Sequence, residues 1–163
     1  MFYLVRHAKA VPRVLGVDHP QRPLTTKGLL QASQLARFFA LIDPVPVAIY
    51  SSPFCRCVET ATAIATQLDL AVCQVDWLRH GGDLNESLRQ LQSLTADNHA
   101  PVILVGHEPE LSQLVMRCTG QPCRVGFKKA GIAHLSWRAS GWQLQRLMTY
   151  QDVVATLEDS STR

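Results

Sequence analysis

Four short apolar segments rich in branched residues, each followed by a stretch long enough for a helix, constrain this chain more than any other feature. They are FYLV (2–5), VPVAIY (45–50), LAVCQV (70–75) and PVILVG (101–106). Runs of this length with little polar alternation suit strands buried on both faces. From Thr25 to about Ile42 apolar residues recur at helical spacing through Leu29, Ala32, Ala36 and Phe39, with Thr25 or Thr26 as cap. Ser52 and Pro53 read as the cap and first residue of a second helix that reaches Leu68. Further helices are expected from Leu84 to Leu94 and from Glu108-Pro109 to Thr119-Gly120. Such alternation predicts an α/β fold: a single-domain three-layer sandwich whose mainly parallel central sheet carries helices on both faces. GIAHLSW (131–137) and WQLQRLM (142–148), joined through Arg138 to Gly141, break the alternation and read as a C-terminal hairpin added to the sheet. The domain is expected over residues 1–157, with 158–163 as a polar tail that frays.

Composition narrows the partners. The chain has 163 residues, enough to bury a core without disulfides or metals. Its net charge of +3 comes from scattered Lys and Arg residues with no dense basic run, so no nucleic-acid surface is expected and a small anion is the better fit. The 5 cysteines are odd in number and form no C-x-x-C pair, the pattern of reduced thiols in cytosol. Only four apolar residues separate Met1 from Arg6, and no run of 18 apolar residues exists, so neither a signal peptide nor a membrane span is expected. A cytoplasmic location follows as the expectation.

In open α/β sheets ligands bind beyond the carboxyl ends of the strands. The first strand leads into Arg6-His7, the second through Ser51-Ser52-Pro53 to Arg56 in a first helical turn, and the fourth into Gly106-His107 before another helix. Two arginines, two histidines and a helix start on one rim make an anion site, because guanidinium forks and helical N–H groups both engage phosphate oxygens. A histidine there binds, shuttles a proton or attacks phosphorus; attack needs a neutral ring whose other nitrogen is held. Position alone leaves these three roles open.

The same stretches resemble motifs of the histidine phosphatase superfamily, in order, over residues 2–111. LVRHAKA (4–10) resembles its Arg-His-Gly opening and RPLTTKG (22–28) its Leu-Thr-x-x-Gly turn into a helix. YSSPFCRCVETA (50–61) resembles its Ser-Pro-x-x-Arg-x-x-x-Thr-Ala block, and VILVGHEPEL (102–111) its second-histidine block. The resemblance implies that His7 attacks phosphorus and is transiently phosphorylated, while Arg6, Arg56 and His107 clamp the phosphoryl oxygens. It implies no metal or cofactor, since the arginines supply the charge that phosphoryl transfer requires. Ala8 departs from the family's usual glycine, and the methyl group is expected to be tolerated.

The proton donor is a second departure. WLRHGGDLNESL (77–88) offers His80, Asp83 and Glu86 but no clear acid motif. A weak acid fits a labile bond, because a placed acid is typically worth about 10²–10⁴-fold and phosphohistidine leaves more readily than an alkoxide. With the small size and no inserted lid, this resembles the SixA-like branch, whose substrates are phosphohistidines on proteins. A phosphorylated protein is then the expected partner, with Arg22 and Lys9 lining its approach. The alternatives weighed are a small-molecule phosphomonoesterase or mutase of the same superfamily, and a phosphate-sensing or phosphoprotein-binding module without turnover.

Other features compete less well. CTGQPCR (118–124) has the C-x5-R spacing of cysteine phosphatases but follows a helix instead of preceding one. A zinc site on His7 and His107 would place the cation beside two arginines with no carboxylate or thiolate motif. His19 and His99 are expected in solvated loops and His134 in a structural role, while Glu59 and Thr60 are expected to support packing or orient neighbours.

Overall fold

The computed structural model describes residues 1–97, 100–121, 126–139 and 141–161. The chain order is β1 (Phe2–Arg6), α1 (Thr26–Phe39), β2 (Ala48–Ser51), α2 (Cys55–Leu68), β3 (Val72–Gln74), a 3-10 turn (Asp76–Leu78), α3 (Leu84–Asp97), β4 (Val102–Gly106), α4 (Glu110–Thr119), β5 (Ile132–Arg138), β6 (Gly141–Met148) and α5 (Tyr150–Ser161). One sheet runs in the order β3-β2-β4-β1-β5-β6. Its first four strands are parallel; β5 is antiparallel to β1 and pairs with β6 as the expected hairpin.

Two cores lie on the two faces of this sheet. The alternation of β1 sends Tyr3 and Val5 into one with Leu35, Phe39, Ile64 and Val153 from α1, α2 and α5. Phe2 and Leu4 enter the other with Leu91, Leu111 and Leu114 from α3 and α4. Burial on both sides explains why β1 and β4 read as unbroken apolar runs. The predicted three-layer α/β architecture is therefore the observed one.

Local differences from the sequence reading have local causes. Thr25 is the cap of α1, accepting from Gly28 N at 3.1 Å. The helix ends at Phe39, and Leu41 N and Ile42 N make tighter i→i−3 bonds to Phe38 O and Phe39 O before Pro44. Leu29 is exposed and not on the buried stripe. Gly28 and Gln31 take that face because the first turn packs on the backbone at Lys9: a Cβ at Gly28 would lie 2.1 Å from Lys9 O, and Gln31 Oε1 accepts from Lys9 N at 2.9 Å. At the sheet edge, β3 spans Val72–Gln74 alone, since Asp69 caps α2 in the left-handed region and Leu70 N is used by Ala65 O.

At the C-terminus the chain forms α5, which was not anticipated; its Glu158 and the residues to Ser161 are helical, not frayed. Thr149 and Asp152 bond reciprocally at its start, and Val153 and Leu157 are buried beneath it.

Candidate active site

Because β2, β4 and β1 are sheet neighbours, their carboxyl ends meet on one rim, and the first residues beyond them are pinned to one another. His7 N donates to Gly106 O at 3.1 Å and Ser52 N to Val105 O at 2.9 Å. His7, Arg56 and His107 are thereby brought together, at 3%, 1% and 1% exposure. With Arg6 they line a polar cleft of about 380 Å³, to which Arg22, Asp18, His80, Glu108 and Lys129 also contribute.

His7 Nδ1 lies 2.7 Å from Ala8 O, which accepts its proton and leaves Nε2 with a free electron pair. That pair accepts from Arg56 Nε at 3.1 Å. Burial, then the nearby charge of Lys129, brings the His7 ring down to about 2 against the opposing Ala8 bond, with His107 and Arg56 adding to the decrease. His107 Nδ1 stands 3.2 Å from Arg56 Nη2, and its Nε2 stands 2.7 Å from Ser52 Oγ. A proton on Nε2 satisfies both contacts, and burial followed by the Arg56 charge brings this ring down to about 3. Both imidazoles are neutral at physiological pH, with ring centres 5.3 Å apart.

Arg56 occupies the middle of the cluster. Its Nη2 also donates to Asp18 Oδ2 at 3.0 Å, and the guanidinium carbon sits 5.0 Å from the centre of the Phe54 ring. Among the described residues Arg56 Nη1 and Arg6 Nε are buried without a partner. Both arginines line the cleft, and a guanidinium group there suits an anionic ligand. Arg6 is anchored by its Nη1, which donates to Phe127 O at 2.5 Å.

Arg22 lines the cleft, with Nε donating to Asp18 Oδ1 at 3.1 Å and Nη2 paired to the same oxygen. Lys9 does not: it is exposed, outside the residues lining the cleft, because its backbone is the part held against α1. Asp83 and Glu86 line a separate cavity with Trp77 and Arg79, and Glu86 is engaged by Arg89 and Gln90. Of the three candidate acids, only His80 reaches the cleft; its ring centre is 5.8 Å from that of His107, and its Nδ1 is 2.9 Å from Glu110 Oε1.

Asp18 and Lys129 are among the cleft residues that the sequence reading missed. Asp18 faces Arg13, Arg22 and Arg56; burial raises its carboxyl, but the Arg22 hydrogen bond and the arginine charges outweigh this and bring it to about 2. Lys129 Nζ stands 3.5 Å from His7 Nε2, and burial, followed by the charges of Arg6, Arg56 and Arg22, lowers it to about 8. The signal for Lys129 was the FKKAG stretch ahead of β5: an antiparallel strand begins on the rim where parallel strands end. Asp18 sits in a loop whose sequence gave no comparable signal.

The supporting residues behave as anticipated. Thr60 Oγ1 accepts from Ala8 N at 3.1 Å and donates to Arg56 O at 2.7 Å, joining the two blocks. Glu59 Oε2 accepts from Leu24 N at 2.6 Å. Ala8 is fully buried outside the left-handed region, so its methyl group imposes no backbone penalty. His134 stacks on Tyr3 at 4.6 Å and His19 is exposed; His99 lies outside the described residues. Cys118 belongs to α4, and burial pushes its thiol up to about 11; Arg124, the other end of the C-x5-R spacing, lies outside the described residues. Among the described residues no three His, Cys, Asp or Glu side chains gather as a metal-binding group. No helix there is long and apolar enough to cross a membrane.

Residues 2–86, which carry Arg6, His7 and Arg56, match the model of the histidine phosphatase superfamily, branch 1. An uncharacterized protein of Picosynechococcus sp. is 30% identical over 138 residues, 82% of each chain. This chain belongs to the histidine phosphatase superfamily. Solved structures agree with that assignment. A protein histidine phosphatase SixA complexed with tungstate has TM-score 0.83 at 24% identity, over 93% of this chain and 98% of that one. A putative phosphohistidine phosphatase SixA from Agrobacterium tumefaciens has TM-score 0.75 at 26% identity, over 91% and 97%. The fold is shared too with a phosphoserine phosphatase from Entamoeba histolytica, TM-score 0.78 at 17% identity, over 93% and 98%. His107, which lines the same cleft, lies beyond the residues matched by that model.

Proposed function

We propose that this chain hydrolyses phosphohistidine on a protein through a phospho-His7 intermediate. The observation that carries the reading is the state of His7: Nδ1 donates to Ala8 O, so Nε2 is an unprotonated nucleophile in a cleft of arginines. The Nε2 pair forms a bond to phosphorus while the phosphorus–nitrogen bond of the substrate breaks. Its electrons pass to the leaving imidazole, which takes up a proton from solvent. Water then attacks phospho-His7, the bonding pair returns to Nε2, and phosphate departs with release of a proton. Arg6, Arg56 and His107 hold the three oxygens in both steps, which suits a transfer catalysed mainly by positioning and preset charge.

The carboxylates of the cleft favour a labile leaving group. Asp18 is committed to arginines, and Glu108 Oε1 accepts from Ser112 Oγ and Phe127 N at 2.9 Å each. Neither is arranged as a free acid for an alkoxide. The SixA likeness points the same way. Phosphate release should be compared for a phosphohistidine protein, a phosphoserine peptide and a sugar phosphate, with wild type and His7→Ala. The reading expects strong preference for the first and loss of turnover in the variant. A preference for either ester removes the substrate assignment, and unchanged turnover by His7→Ala removes the mechanism.

A further inference from the structure

We propose that Lys129 is a further catalytic residue, its ammonium group engaging an oxygen of the phosphoryl group as that group forms on His7. The inference rests on the phospho-His7 reading. Lys129 Nζ is 3.5 Å from His7 Nε2, the atom that would bond to phosphorus, and it lines the same cleft. A phosphoryl group on Nε2 spreads its equatorial oxygens around that nitrogen, into reach of a cation standing beside it. Among the described residues no carboxylate forms an ion pair with Lys129, so an arriving oxyanion is the anionic partner the site lacks.

The backbone holds this lysine in place. Arg6 N donates to Gly131 O at 3.0 Å and Ala130 N to His7 O at 3.3 Å, which ties the turn before β5 to both sides of the Arg6-His7 pair. Ala130 is fully buried at φ +57, a left-handed conformation that non-glycine residues adopt at a cost. Gly131 cannot be replaced freely, since a Cβ there would lie 2.9 Å from Lys128 O and 3.1 Å from Met148 O. A strained turn with crowded backbone, fastened to the nucleophile, is a rigid mount for one side chain.

Its place beside the attacking nitrogen assigns it to the equatorial oxygens. In an in-line transfer the leaving group departs opposite Nε2, away from Lys129, so the residue is a clamp and not the proton donor. Arg6 from β1, Arg56 from α2 and Arg22 from the preceding loop face it as cations, with Asp18 opposing them and neutral His7 and His107 adjoining; its charge is present below about pH 8 and lost above it.

The test uses Lys129→Met and Lys129→Arg in the full chain, each checked by an unfolding curve. Orthovanadate, which adopts the five-coordinate geometry of phosphoryl transfer, is the binding probe and needs no turnover. The expectation is a loss of about 10²-fold in vanadate affinity and in kcat for Lys129→Met. Lys129→Arg should retain most of the affinity. Vanadate affinity within threefold of wild type in Lys129→Met overturns the proposal. Should the Met variant not fold, Lys129→Gln takes its place, and affinity within threefold of wild type there overturns it equally. Absence of wild-type turnover on every substrate defeats the phosphatase reading instead, while the vanadate comparison still judges the clamp.

Discussion

Replacing Arg56 by lysine keeps the positive charge and removes the fork, which isolates what the guanidinium geometry contributes. Arg56 Nε lies 3.1 Å from His7 Nε2, while Nη2 lies 3.0 Å from Asp18 Oδ2 and 3.2 Å from His107 Nδ1; Nη1 has no partner among the described residues. One ammonium cannot reproduce three directed nitrogens at a site only 1% exposed. At best it retains one contact, so on the proposed mechanism it offers the phosphoryl group fewer directed donors. Loss of one preorganised oxyanion donor costs about 2.7–4 kcal/mol, or about 10²–10³ in kcat. Lost hydrogen bonds among His7, Asp18 and His107 should lower folding stability by about 1–3 kcal/mol. Saturating kinetics on a phosphohistidine protein, with a urea unfolding curve on the same preparation, measures both. A folded Arg56→Lys protein whose kcat stays within threefold of wild type would refute the argument that the fork, and not charge alone, serves the reaction.

Acid stability follows from the buried neutral imidazoles. Folded His7 and His107 titrate at about 2 and about 3, so below the ordinary value of 6.5 the unfolded chain binds more protons and stability falls with pH until those folded values are reached. At pH 5 each imidazole should cost about 2 kcal/mol relative to pH 7.5, read as a lower urea midpoint, and His7→Gln should diminish the difference. Gly28→Ala would drive a methyl group to 2.1 Å from Lys9 O, so a loss of about 2–3 kcal/mol and a Tm lower by about 5–10 °C are expected in calorimetry. Ala8→Gly should leave kcat within threefold, because Ala8 N still reaches Thr60 Oγ1 and its carbonyl still holds His7.

The sequence was most legible where two faces are buried. Strands β1 and β4 read as apolar runs because both sides meet helices, and a charged or imidazole-bearing residue directly after such a run stands on the sheet rim. Residues whose position depends on long-range pairing were hidden. Lys129 reaches His7 only because β5 pairs antiparallel with β1, and Asp18 arrives through a loop. Lys9, next to the motif, turned out exposed because α1 holds its backbone and not its side chain. The α5 helix had a signal in Thr149-x-x-Asp152, a reciprocal cap, but few buried residues to mark its face.

Quenching the protein during turnover of a phosphohistidine substrate and mapping the phosphate by mass spectrometry addresses the chemistry at its source. The account predicts phosphate on His7, labile to acid and stable to base, that decays as inorganic phosphate is released and is absent from His7→Ala. Turnover without any phosphorylated His7, or with phosphate on another residue that forms and decays at the catalytic rate, would contradict it.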